Sequence, residues 1–232
     1  MSCLAGKAFV AIWHDVSPEG KAEYYEWHNR EHMPERVAIP GFIRGRRYIA
    51  EQGTPEYFNL YEVETVHVLT GQDYLTRLNN PTPWTLRTVP HIRNVSRSLC
   101  RVGASFGCGQ GGIMMTGRLD ALAGREDEFQ RYLAREALPA VVDRPGVLGA
   151  HFGVADRSGS ETVTEEKKAR GGITLVPGWV ILLEGVSTHA VKAAAEPQLS
   201  ISALRDHGGS DPIDAGVYRL ESSRSKTSFA TG

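Results

Sequence analysis

Two imidazoles and a carboxylate lie within five residues of one another, at His28, Glu31 and His32, inside the aromatic-rich stretch YYEWHNREHMPER (24–36). At ~100° per residue of an α-helix, Tyr24, Tyr25, Trp27, His28, Glu31 and His32 fall on one side, while Glu23, Glu26 and Arg30 fall opposite. The second group reads as the solvent face. The first reads as a buried face that is unusually polar, and buried polar groups need partners. An imidazole gives and takes protons near neutral pH, so His32 is the expected general acid/base, with His28 beside it. The structural alternative is that both rings hydrogen-bond to neighbouring strands and complete the packing.

The strand that follows adds candidates by two-residue alternation. Arg44, Arg46 and Tyr48 share one face, and a guanidinium beside a phenol suits a carboxylate or an enolate oxygen; the competing reading places these arginines in solvent near the strand end. Tyr48 is therefore grouped with His28 and His32 as catalytic. Arg44, Arg46, Tyr24, Trp27, Phe42, Tyr61 and His151 form the expected substrate-binding set. Tyr57 and Asn59 share a strand face with Tyr61. His14, beside Asp15, reads as part of a strand-to-helix turn. His28 to His32 also fits H-x-x-E-H, a zinc spacing, but Pro34 soon interrupts the helix and no clear third acidic ligand follows, so no metal is assigned. The match of GCGQGG (107–112) to a dinucleotide fingerprint leads into a strand rather than a helix and reads as a linker; no cofactor is assigned.

The elements that must position these residues come as an internal repeat. Residues 31–50 align with 136–155 at a shift of 105, with six identities in twenty, including Pro34/Pro139 and Pro40-Gly41/Pro145-Gly146. Further on, a shift of 122 pairs Glu62 with Glu184 and Arg97 with Arg219. The added 17 residues fall in the polar stretch 156–172, which reads as an enlarged exposed loop. Each copy has the order β-α-β-β-α-β of a ferredoxin-like unit: 8–14, 17–37, 43–50, 57–64, 66–78 and 93–102, then 113–119, 124–142, 148–155, 178–186, 190–204 and 215–221. The fold class is α+β, with residues 1–102 as the site-bearing first unit, 103–112 as a flexible Gly-rich linker, 113–221 as the second unit and 222–232 as a loose tail. Packing the two bare sheet faces together would close a barrel. At the helix positions of the histidines the second copy has Leu133 and Ala137, so the site is lopsided.

YYEWHNREHMPER, followed by Ile39-Pro40-Gly41-Phe42, resembles the dimeric α+β barrel superfamily, in particular its EthD-like branch, here as a fused tandem pair. The resemblance implies a barrel with an internal cavity; relatives include monooxygenases, isomerases, dehydratases and haem proteins. Net charge −1 offers no footprint for nucleic acid or an anionic membrane. No apolar run reaches the ~18–20 residues of a membrane span, and the three cysteines form no CxxC pair, which suits the cytoplasm. The expected function is a cofactor-independent acid–base enzyme, lyase or isomerase ahead of monooxygenase, acting on a small aromatic or polyketide-like catabolic intermediate. A non-catalytic ligand-binding barrel and a metal or haem protein are the alternatives. The expected partner is a small molecule, and two fused barrels can pair as a homodimer.

Overall fold

In the computed structural model, which describes residues 4–107 and 109–227, the two repeats close into one barrel of eight strands. The first contributes β1 (Ala8–Val16), β2 (Phe42–Gln52), β3 (Tyr57–Val63) and β4 (Ile92–Gly107); the second contributes β5 (Ile113–Ala121), β6 (Val147–Ala155), β7 (Trp179–Gly185) and β8 (Gly209–Ser225). The cyclic order is β1-β3-β2-β8-β5-β7-β6-β4, antiparallel throughout, so no edge is left unpaired. Each half keeps the split βαβ order, and β2–β8 and β4–β6 are the seams. Ala8 pairs with Val63 and Ile113 with Gly185, so the sequence shifts of 105 and 122 land on the same ladder.

Alternation divides the strands between two layers. Phe9, Ala11, Trp13, Tyr48, Phe58, Leu60, Met114, Val180, Leu182 and Tyr218 fill the barrel interior, with Phe58 4.9 Å from Trp13 and 5.7 Å from Tyr218 between ring centroids. The opposite face of each sheet packs against its own helices. The interior is thus packed rather than hollow, a correction to the internal cavity that the family resemblance implies.

Four inward charged residues form one network. Arg44 grips Glu62 through two bonds of 2.8 and 2.6 Å; Arg46 lies 2.9 Å from Glu62 and makes two bonds to Glu184, at 2.9 and 3.0 Å. His151 adds its Nε2, 3.8 Å from Glu184. Burial alone would raise the Glu62 carboxyl, and Arg46 and Arg44 more than reverse this, holding it below the usual carboxylate range.

Helix α1 (21–38) is α-helical over Lys21–Trp27, a π turn over His28–His32, and α-helical again over Met33–Ala38. Its counterpart α4 (126–142) has the same π turn at Leu133–Ala137, shifted by 105. Pro34 and Pro139, which lack an N–H for the i−4 carbonyl, sit at the same place in both. The proline and the Arg-Glu pair (Arg30-Glu31 and Arg135-Glu136), not the histidines, are common to the two turns.

Four expectations change. Region 66–78 is a short 3₁₀ turn, Val66–Leu69, then α2 (Gln72–Asn79), and a further helix α3 (Pro83–Thr88) follows, capped by the Thr82 hydroxyl on the Thr85 N–H. Most of 103–112 is not a flexible linker: β4 continues to Gly107 against β6, and at Gly103 a Cβ would lie 2.1 Å from the Phe152 ring. The tail is strand through Ser225, paired with Arg44–Arg47 of β2; residue 108 and residues 228–232 lie outside the described ones. The insertion 156–172 forms α5 (Arg157–Glu161) and α6 (Glu165–Arg170), capped by Asp156 and Thr164. It is fastened to β4 of the first repeat: Leu99 donates to Ser160 Oγ and accepts from Asp156 N, and just beyond the insertion Arg97 N donates to the Leu175 carbonyl.

Removing one partner from a buried ion network leaves a charge uncompensated, at ~3–5 kcal/mol. Glu184→Ala is expected to lower the unfolding free energy by that amount, read as a lower urea midpoint at unchanged slope, while loss of the exposed Lys168–Glu165 pair leaves the midpoint in place. Equal midpoints for Glu184→Ala and wild type would show that the network contributes nothing.

Candidate functional site

The cavity lies outside the barrel wall, between β1, β3 and β4 of the first repeat, helix α1, and the insertion from the second repeat. It offers about 90 Å³ to water centres, where one ordered water needs ~10–15 Å³, so it admits a small molecule. Its walls include Ile12, Trp27, Phe42, Leu69, Leu78 and Leu99, with a polar set concentrated on α1 and β3.

His28 is fixed in one tautomer. Arg47 has only hydrogens to offer, so His28 Nδ1 accepts from its Nη1 at 3.1 Å and the ring proton sits on Nε2, facing the Tyr61 hydroxyl at 3.3 Å. With both nitrogens engaged, His28 has no lone pair free for a metal, and Glu31 accepts from Thr82 and Thr85 instead, so the H-x-x-E-H spacing builds no ligand set here. Tyr61 accepts from His28 and keeps its own proton to donate. Asn59 donates to the Tyr24 oxygen at 3.4 Å, and Tyr24 lies 3.1 Å from His14 Nε2. Trp27 donates to Thr85 at 3.1 Å and lies 4.2 Å from the His32 ring between centroids, fixing that ring from one side.

Four buried polar atoms of cavity residues have no hydrogen-bond partner: His14 Nδ1, His32 Nδ1, Asn59 Oδ1 and Arg36 Nη1, the last 3.9 Å from a Glu35 oxygen. Burial without a hydrogen bond costs ~1–3 kcal/mol per group, and a bound molecule would recover it. The imidazoles are neutral. Burial lowers His32 well below the ordinary histidine range, helped by Arg36 and His28; burial and then Arg47 do the same to His28; burial brings His14 to about 3 against the opposing pull of Asp15. Burial pushes the Tyr61 phenol upward, so it stays protonated.

The structure splits the expected set. His28, His32, Tyr24, Trp27, Phe42 and Tyr61 meet at the cavity. Tyr48, Arg44, Arg46 and His151 do not: their strand positions face the barrel interior, where both arginines are paired to glutamates and His151 lies between Ser105 and Glu184. Sequence alternation did not say which layer the β2 arginines enter, and Arg47, on the outward face, is the β2 arginine that contacts His28. Sequence reasoning also passed over His14, although the run Val10, Ile12, His14 on the outward face of β1 carried the signal, and over Arg36, Arg97 and the insertion.

In the second repeat the equivalent layer is apolar. Tyr57, Asn59 and Tyr61 correspond in register to Trp179, Ile181 and Leu183, and Tyr24, His28 and His32 to Phe129, Leu133 and Ala137, all packed in one core. The same scaffold folds without the polar groups.

No family model matches the chain, and no curated protein sequence matches it. Solved structures do. An anthrone oxidase-like protein aligns with TM-score 0.61 at 12% identity, covering 97% of this chain and 95% of that one. A protein from Fusobacterium nucleatum provisionally named a monooxygenase gives 0.59 at 9%, covering 97% of each chain; a similarly named one from Lactobacillus acidophilus gives 0.57 at 10%, covering 94% and 95%. The chain has the fold of a fused dimeric α+β barrel. No helix among the described residues is long and apolar enough to cross a membrane.

Four buried rings, His14, His28, His32 and His151, are neutral when folded and accept a proton on unfolding below about pH 6.5. The unfolded chain then binds more protons, so stability falls as pH drops, by up to ~1.4 kcal/mol per pH unit for each ring. The urea midpoint is expected to decline between pH 6.5 and 5, before ordinary carboxylates titrate; a constant midpoint over that range would mean the rings are charged in the fold.

Proposed function

We propose that the chain is a cytoplasmic, cofactor-independent enzyme, EthD-like within the barrel superfamily, that moves a proton on a small aromatic or polyketide-like molecule, as an isomerase or as a lyase such as a dehydratase. One observation carries this reading: the layer that is apolar in the second repeat holds neutral imidazoles and unpartnered polar atoms in the first, around a cavity. Packing does not need them there.

His32 is the base. Its free Nδ1 takes a proton from an acidic carbon of the substrate, and the electron pair moves onto an adjacent carbonyl oxygen to give an enolate. Tyr61 donates its hydroxyl proton as a hydrogen bond to that oxygen, the role that strand alternation suggests for Tyr48, and Arg36 Nη1, which has no hydrogen-bond partner, offers a further donor. His28 is a positioning residue: held by Arg47, it presents Nε2–H to the Tyr61 oxygen, which turns the phenol proton outward. The proton on His32 then returns to a second carbon in an isomerisation, or to a departing hydroxyl in a dehydration, releasing water. Trp27 and Phe42 face the apolar skeleton. The depressed basicity of His32 keeps it proton-free at neutral pH, and an anionic intermediate beside Arg36 would offset part of the field that depresses it.

Proton abstraction is tested without knowing the product, by NMR-detected exchange of the acidic C–H of aromatic β-keto acids and lactones in D₂O. Wild type is expected to catalyse exchange at a rate unchanged between pH 8 and 6.5, His32→Ala to lose at least ~10²-fold, and Tyr61→Phe ~10-fold, with circular dichroism unchanged. Undiminished exchange in His32→Ala would end the assignment. An enolate is also the species that dioxygen attacks in a cofactor-free oxygenation, so oxygen consumption is followed in the same samples; uptake matched to substrate loss would replace isomerase or lyase by oxygenase.

A further inference from the structure

The roof of the cavity comes from the other repeat. Thr162, Thr164, Glu166, Lys167 and Arg170 of the insertion line it, opposite Arg97 on β4. Glu166 is already engaged by Arg36. The three remaining cations have only neutral partners: Arg97 donates to the Tyr74 hydroxyl at 2.9 Å, Lys167 to the carbonyls of Ser160 and Thr162 at 2.6 and 2.8 Å, and Arg170 to the Thr174 hydroxyl and the Gly171 carbonyl. Among the described residues none of the three has a carboxylate within ion-pair distance, although Arg97 is 8% exposed. Their mutual repulsion is felt: burial, then Arg97 and Arg170, bring the Lys167 ammonium down to about 8 against Glu161, and burial, then Arg97, lower Arg170 against Glu166. Like charges gathered over one cavity are an unfavourable arrangement that an anion relieves.

The cavity also has an aromatic wall on α1, with Trp27 against His32, while Phe42 packs on Tyr74 beside Arg97. A ligand suited to both features has a flat apolar part for that wall and carries one negative group for the cations. We infer that the site takes a small aromatic carboxylic acid, its carboxylate held beneath the insertion by Arg97, Lys167 and Arg170 and its ring directed toward Trp27 and His32. This rests on the cavity being the site proposed above, and gives that site its substrate class. The insertion thereby acquires a role, since the second repeat supplies the groups that select charge while the first supplies the base.

Binding of salicylate, compared with its neutral counterpart salicylamide, tests the inference through tryptophan fluorescence and calorimetry on the full chain. Salicylate is expected to bind saturably and at least ~10-fold more tightly than salicylamide. Lys167→Met and Arg170→Gln, both on the half-buried insertion, should each weaken salicylate by ~10-fold and change salicylamide by less than ~2-fold, with the exposed Lys168→Met as an unaffected control. Equal affinity for the two compounds, absence of salicylate binding, or indifference to both substitutions would overturn the inference. Displacement of salicylate by equimolar inorganic phosphate would show that the cations bind any anion, and would overturn the aromatic class. The two readings fail separately, because salicylate binding and C–H exchange are measured independently. An anion preference without exchange in any substrate removes only the proton-transfer reading, and exchange without an anion preference removes only this one.

Discussion

The arrangement of the whole molecule turns on two glutamates at equivalent places in the repeats, Glu62 and Glu184, and on the arginine that reaches both. Two carboxylates and two guanidiniums buried together balance in charge, and each carboxylate also accepts a backbone N–H from the segment entering its repeat, Ala5 and Gly111. Such a network is costly to bury and more costly to break, so it penalises any slip of β2 by one residue, which would turn its arginines out of the barrel. The site inherits that register. With Arg44 and Arg46 facing in, Arg47 must face out, where it meets His28; His28 is then a donor toward Tyr61, and the Tyr61 proton faces the cavity. An interior ion network thereby sets the state of a hydroxyl on the other side of the sheet.

The architecture was legible in the sequence because it was written twice. The gapless match of 31–50 with 136–155 paired Pro34 with Pro139, but the π turns beside them went unread, because a uniform 100° wheel does not describe them. The helix-borne part of the site was legible as well, since two imidazoles on an aromatic face contradict the ordinary apolar stripe. What alternation left open was the choice of layer. Alternation says that Arg44, Arg46 and Tyr48 share a face, but not whether that face looks into the barrel or toward the helix, and both faces here are buried and both carry charge. The tail was misjudged for a related reason: Ser222 to Ser225 hold their place in β8 by main-chain bonding to β2, and side-chain polarity carries no record of it.

The insertion was the least legible part. Its composition is that of an exposed loop, and most of its side chains are at least partly in water. Its order comes from two side-chain caps, Asp156 and Thr164, and from main-chain bonds to a strand about sixty residues earlier in the chain, a contact that no local pattern announces.

Joining the two units in one polypeptide also sets a stoichiometry. In a barrel assembled from two identical chains, every residue change is made twice and every cavity occurs twice. Here Phe129, Leu133 and Ala137 consolidate one flank while Tyr24, His28 and His32 open the other, and a single roof segment crosses from the first flank to the second. The polar cavity therefore sits on one flank of the barrel. The apolar flank supplies the folding free energy that lets its twin carry unsatisfied groups, a division of labour that twofold symmetry would forbid.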